Sequence, residues 1–239
     1  MIRQTVARVD LESIAANVAA LRVLLGEDDP SPGIIAVVKA NAYGHGAIAV
    51  AQRLEKAGVD ILACADIEEG VELRRAGITK PILVFGALSL SDLDGIFDFN
   101  LTPTVSTPTA AQAVEDAGAR RGAVIGCHLK IDTGMNRLGF RHDNLDRTMP
   151  AIAASTHMRV DAVYTHFACA DEPESASFDD QRLRFEQALA VLERHGIRPK
   201  VRHAANSAAT LRDRRTWYDF VRPGLLLYGI VPPPLGSTL

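Results

Sequence analysis

The sequence has no paired cysteines. Cys64, Cys127 and Cys169 are far apart, and no C-x-x-C spacing occurs among the 239 residues. Neither a disulfide framework nor a cysteine-held zinc or other metal site is suggested, and a reducing compartment fits. Long apolar runs are missing too: nothing approaches the roughly 20 residues that a membrane-spanning helix needs. The start, MIRQTVARVDLESI, carries charges where a secretory signal would place its apolar core. Charge of one sign is also lacking. Lys and Arg number 26 against 29 Asp and Glu, for a net charge of −3, so no polyanion is implied as partner. The basic pieces Arg120-Arg121 and Arg212 to Arg215 read as solvated helix ends. The expectation is a soluble, cytoplasmic protein with neither nucleic acid nor membrane as partner.

What is present is an ordinary soluble composition, 47% apolar and 23% charged. Eight short apolar runs stand out: 34–39, 61–64, 82–85, 101–105, 124–132, 160–167, 200–203 and 219–221. Most are near-continuous rather than alternating, as in parallel strands covered on both faces. Helical patterns separate them. The clearest is FDDQRLRFEQALAVLERHG, with acids at its start, apolar residues at helical spacing (Leu183, Ala190 and Val191 among them), and His195-Gly196 at its end. Another helix, LESIAANVAALRVLLG, precedes the first run. Strand and helix in alternation predict βα units, and eight units in this length predict a (β/α)8 TIM-type barrel. An open doubly wound sheet is the second choice. TVARVD, residues 5–10, alternates like a half-exposed strand with no evident neighbour. IVPPPLGSTL, residues 230–239, is a proline-rich connector.

In such a barrel chemistry gathers at the C-terminal ends of the strands. The first run ends on Lys39 and the fifth in KIDTGMNRLGF, with Lys130 and Arg137. The sixth ends in THFACAD with His166, the seventh in HAANSAAT with Asn206 and Ser207, and the eighth in VRPG with Arg222 and Gly224. Runs two to four contribute little. Asn206 and Ser207 open a helix whose free N–H groups favour an anion, and Gly224 lets backbone approach closely, so the last two turns read as a phosphate cup. A surface lysine is the ordinary reading of Lys39. Here it follows five apolar residues and faces that cup. Desolvation would favour its neutral amine, which attacks carbonyls to give a Schiff base. Lysine, phosphate cup and Arg222 together suggest pyridoxal 5′-phosphate, with Arg222 facing the pyridine nitrogen. An aldolase lysine is the alternative. Tyr43 would reach the phosphate or pack at the rim, His45 would shape its loop, and His166 would bond Arg222 or flank the ring.

AVVKANAYGHG, KIDTGMNRLGF, THFACAD, HAANSAAT and VRPG..LYG, in this order and spacing, resemble the catalytic barrel domain of bacterial alanine racemases. The resemblance covers essentially the whole chain. It implies racemisation of alanine, supplying D-alanine for peptidoglycan, with Lys39 carrying pyridoxal phosphate and acting as base on one face. It implies that Tyr43, Asn206, Ser207, Gly224 and Leu225 hold the phosphate, that Arg222 faces the ring nitrogen with His166 in support, and that Arg137 binds the substrate carboxylate. Lys130 matches a lysine that many members carry as a carbamate. The family also implies a homodimer and a C-terminal β domain whose tyrosine is the second base. Residues 1–229 would then be the barrel and 230–239 the start of a linker to that β domain. A chain ending there is expected to racemise poorly. Two other readings fit less well: a single-barrel pyridoxal phosphate homeostasis protein, and a racemase of another amino acid.

Overall fold

The computed structural model describes residues 5–26, 31–232 and 235. Among the described residues, nine parallel strands occur in chain order: β1 (Gly33–Val37), β2 (Ile61–Cys64), β3 (Ile82–Val84), β4 (Thr102–Val105), β5 (Ile125–Asp132), β6 (Phe140–Arg141), β7 (Met158–Tyr164), β8 (Val201–His203) and β9 (Phe220–Val221). Each neighbour pair is parallel, β4 pairs with β5, and β9 returns to β1, so eight of the strands close a (β/α)8 barrel. The ninth, β6, is a two-residue spur that extends the end of β5 through Ile131 to Phe140 and Asp132 to Arg141. It was not expected from the sequence, and it is too short to leave a periodic signal.

Parity along the strands explains the continuous apolar runs. In β1, Ile34 and Ala36 pack outward under the helices, while Ile35 points to a separate interior cluster with Ala63 and Leu83. Both faces of each strand are therefore buried, and no polar alternation survives.

The helices start where cap chemistry predicts. Asp10 caps α1 (Leu11–Leu25) by accepting from the N–H groups of Glu12 and Ser13 at 2.9 and 3.3 Å. Thr107 caps α6 (Pro108–Arg121), with Pro108 in the first turn and Gly122 left-handed at the end. The long helix is α8 (Ser177–Arg194), and its buried face is Phe178, Gln181, Phe185, Ala188 and Leu192. Leu183 is half exposed and lies off that stripe, contrary to expectation. Phe178, Gln181, Phe185, Ala188 and Leu192, spaced three and four apart, make one continuous inward stripe, and Leu183 falls outside it.

Two further expectations are corrected. Residues 5–10 form no strand and are exposed; their alternation has no sheet edge beside it. Arg121 and Arg212 are not merely solvated ends. Arg121 pairs with Asp94 and Asp98. Arg212 donates to the carbonyls of Cys169, Ala170, Glu172 and Pro173 and stacks over Phe178 at 4.0 Å, pinning the loop after β7. Most of the expected linker, residues 230–239, lies outside the described residues. None of the described helices is long and apolar enough to cross a membrane.

Candidate active site

A cavity of about 300 Å³ opens at the C-terminal mouth of the barrel. Lys39, Tyr43, Lys130, Arg137, His166, Asn206, Ser207, Arg222, Gly224 and Leu225 all line it, so the residues singled out from the sequence converge on one space. The sequence reading missed Phe85, Tyr164 and Asp171, which line it as well. β3 therefore does contribute, through Phe85.

Lys39 lies two residues past the end of β1, on α2 (Lys39–Gly44), which is helical in its hydrogen bonds but left-handed. Ala40, Asn41, Ala42 and Tyr43 have φ of 52–53° and ψ between 36° and 54°. Such a conformation costs a non-glycine residue roughly 1–2 kcal/mol, so this segment persists only because its surroundings over-determine it. The Ala42 N–H donates to Val38 O, and the Ala47 N–H donates to the Asn41 side chain. His45 Nδ1 lies 3.1 Å from both the Ala42 and Tyr43 carbonyls. Tyr228 packs against Tyr43 and His45 and donates its hydroxyl to Val37 O. His45 does shape its loop. The outcome is a rigid bend that delivers Lys39 and Tyr43 to one cavity.

The opposite wall is cut for an anion. Asn206 caps α9 (Ser207–Arg212) through the Ala209 N–H and donates to Phe167 O. That cap leaves the amides of Ser207 and Ala208 without an intrahelical acceptor. Ser207 Oγ accepts from Gly224 N at 2.9 Å and Leu226 N at 3.4 Å, which ties the two loops together. A Cβ on residue 224 would lie 2.6 Å from the Tyr43 hydroxyl, so only glycine leaves this corner open.

Beneath lies Arg222, 3% exposed. It donates to Thr165 O at 2.7 Å, Ala204 O at 2.9 Å and His203 Nδ1 at 3.0 Å, with His166 Nδ1 at 3.4 Å. Burial lowers its pKa to about 10, which still leaves it charged at neutral pH. His203 accepts from Arg222 at Nδ1, so its own proton sits on Nε2, which reaches His128 Nδ1 at 3.0 Å. Burial first, and the Arg222 charge second, hold His166 and His203 well below the usual imidazole range. His128 is lowered to about 4, chiefly by burial. Lys130, 4% exposed, sits 5.0 Å from the Tyr164 ring centre. Burial and then Arg222 and Arg137 lower it to about 7, and Asp132 offsets this in part. Arg137 is exposed at the rim. Gln181, fully buried, binds Thr133 Oγ1, His166 O and Ala168 N and fixes the loops after β5 and β7.

The mouth of a closed parallel barrel thus gathers a lysine, the free amides at the start of α9 and a buried arginine around one cavity. Comparison with known proteins places the chain more narrowly. The family profile for the alanine racemase N-terminal domain matches residues 9–232, and the chain belongs to that family. It is 41% identical to the alanine racemase of Symbiobacterium thermophilum over 233 residues, 98% of this chain and 61% of that protein. The alanine racemase from the D-cycloserine producer Streptomyces lavendulae superposes with a TM-score of 0.90 at 38% identity, over 95% of this chain and 60% of that one. The alanine racemase of Bartonella henselae, a structure described with covalently bound pyridoxal phosphate, shares the fold at a TM-score of 0.82 and 23% identity, over 94% and 63%. The chain thus spans about three-fifths of the length of these relatives.

Proposed function

We propose that this chain forms the cofactor-binding barrel of an alanine racemase that uses pyridoxal 5′-phosphate. The observation that carries the reading is the convergence of Lys39, the Ser207–Gly224–Tyr43 cup and Arg222 on one cavity. The donor set fits the group. The first-turn amides of α9 and the Tyr43 hydroxyl suit a phosphate, the absent side chain at Gly224 leaves space for it, and a lysine faces the same space.

When bound, the cofactor supplies an electron-poor ring that stabilises the charge left as an amino acid's α-hydrogen departs as a proton. The protein's residues supply the rest. Lys39 Nζ would hold the aldehyde and, as a free amine, would take and return a proton on one face of the α-carbon. Arg222 offers donors only, so it leaves a ring nitrogen unprotonated. The neutral His166 flanks it. Arg137 at the rim draws in the substrate carboxylate. Lys130, biased towards its neutral amine, is in the form that adds carbon dioxide with loss of a proton; the resulting carbamate anion would pair with Arg137. The second proton carrier is the tyrosine of a C-terminal β domain, as the family resemblance implies. The homodimer expected of the full-length protein and the barrel boundary near residue 229 belong to the same proposal.

Adding pyridoxal phosphate, reducing with borohydride and mapping the fixed adduct by peptide mass spectrometry tests the reading. An adduct confined to Lys39 is expected. An adduct scattered over surface lysines such as Lys56 and Lys80 would overturn it.

A further inference from the structure

The left-handed segment after Lys39 must be held at its first residue as well as its last. His45 and Asn41 act on the stretch from Ala42 to Ala47, and Tyr228 packs on Tyr43 and His45 and holds the Val37 carbonyl. At the first residue the partner is Glu69. This side chain comes from the first turn of α4 (Ile67–Arg75), where the Glu69 N–H donates to the capping carboxylate of Asp66 at 2.9 Å. Its Oε2 accepts from the Ala65 N–H at 2.7 Å and its Oε1 from the Ala40 N–H at 2.6 Å.

The ordinary explanation is a capping box, in which a glutamate at the third helical position reaches back to the start of its own helix. The Ala65 bond is a variant of this, reaching one residue before the capping Asp66. A capping box does not account for the Ala40 bond, which spans 29 residues of sequence and lands on the residue directly after Lys39. Ala40 is the first left-handed residue, with φ 52°. It is exposed, so water would satisfy its N–H equally well but would restrain nothing. The carboxylate therefore joins the backbone beyond β1 to the backbone beyond β2.

We propose that Glu69 is a positioning residue that holds the Lys39 amine in the cavity by clamping Ala40 to the end of β2. As a role in the reaction this rests on the reading of Lys39 as the aldehyde-binding lysine; the clamp itself does not.

Glu69→Gln separates capping from clamping. Gln serves a capping box as well as Glu does, so its amide oxygen keeps the Ala65 bond, whereas its NH₂ group cannot accept from Ala40. By NMR-detected hydrogen exchange, the Ala40 amide is expected to exchange about tenfold faster while Ala65 keeps its protection, the size of effect one lost hydrogen bond gives. The borohydride-fixed adduct at Lys39, at limiting pyridoxal phosphate, is expected to fall by about the same factor. Glu69→Ala should free both amides. Unchanged Ala40 exchange in Glu69→Gln, or faster exchange with an undiminished Lys39 adduct, would overturn the proposal. If the parent chain forms no Lys39 adduct, the cofactor reading fails separately. Acetylation of Lys39 relative to exposed Lys56 by acetic anhydride then becomes the readout. A changed ratio in Glu69→Gln supports the clamp, and an unchanged one removes it.

Discussion

The side of the barrel interior facing β1 to β3 is filled by Ile35, Ala63 and Leu83, with Ile61, Phe85 and Phe220 against them. The side facing β5, β7 and β8 is filled by His128, Lys130, Tyr164 and His203, with Arg222 beneath the mouth. Strand parity is the same on both sides; only the inward residue type differs. The apolar side stabilises by removing surface from water, at roughly 25 cal/mol per Å². The polar side carries the cost of desolvating ionisable groups, and it is tolerable only because each finds partners. What that cost secures is a cavity lined by the basic side chains Lys39, Arg137 and Arg222 beside the largely desolvated Lys130, with Asp171 as the acid among its lining residues. On the proposed reading, that charge is what an anionic cofactor would neutralise.

The largest expected break between the two sides comes from pH. His128, lowered to about 4 when folded, has an ordinary value near 6.5 when unfolded. The unfolded chain therefore binds a proton that the folded chain refuses. Stability is fully present above pH 6.5 and is lost as the pH falls towards 4. Between pH 6.5 and 5 His128 alone should account for about 2 kcal/mol. His166 and His203, also lowered by burial, act in the same direction. Glu115 and Asp143, each held at about 2, add to the loss only lower down, where free carboxylates titrate. Urea unfolding across this range measures the loss, and a flat profile would contradict the neutral, buried imidazoles.

The apolar side should respond to volume and not to pH. Leu83→Ala removes a fully buried side chain and is expected to cost about 3 kcal/mol by denaturant unfolding. The same loss should appear at pH 5 and pH 7, and the Lys39 adduct should be unaffected. A change in adduct yield would show that the two sides are coupled.

A third test carries the same sign into the alkaline range. Lys130, lowered to about 7, is costly while charged, so stability should rise as the pH climbs from 7 towards 10. Lys130→Met in bicarbonate-free buffer should stabilise the chain by about 2 kcal/mol at neutral pH, as replacing a buried ion by an apolar group of like size does, and should flatten that rise. Adding bicarbonate should stabilise the parent chain and leave Lys130→Met unmoved. Equal responses to bicarbonate would remove the carbamate.

The contrast between sides also explains what could be read from the sequence. Apolar runs bounded by glycines gave away the strands, and polar residues at their ends gave away the cavity, because both signals are local. His128 and Lys130 stand two apart in β5, so their shared inward face was legible once the register was known; their meeting with His203 and Arg222 was not, since it depends on barrel closure. The left-handed segment left no trace. Ala, Asn, Ala and Tyr at 40–43 carry no glycine, and their conformation is imposed from outside. Glu69 drew no attention in the sequence, and its contact with Ala40 depends on a fold that brings residues 40 and 69 together.

The smallest expected effect is also the most specific, and it lies where the two sides meet. A methyl group at residue 224 would approach the Tyr43 hydroxyl to 2.6 Å, but the next ring atom only to 3.4 Å. The conflict is therefore with one oxygen. Gly224→Ala should push Tyr43 off the cup and weaken pyridoxal phosphate about tenfold, near 1.4 kcal/mol. Tyr43→Phe should weaken it by a similar amount, through loss of one hydroxyl. The two losses should not add: with the hydroxyl already gone, the methyl group meets only ordinary contact, and the double variant should bind about as well as Tyr43→Phe. Titrating the cofactor's absorbance in all four proteins gives the cycle. Additive losses would mean that Gly224 and Tyr43 act on the ligand separately, and that the glycine serves the backbone of its own loop rather than the space beside the tyrosine.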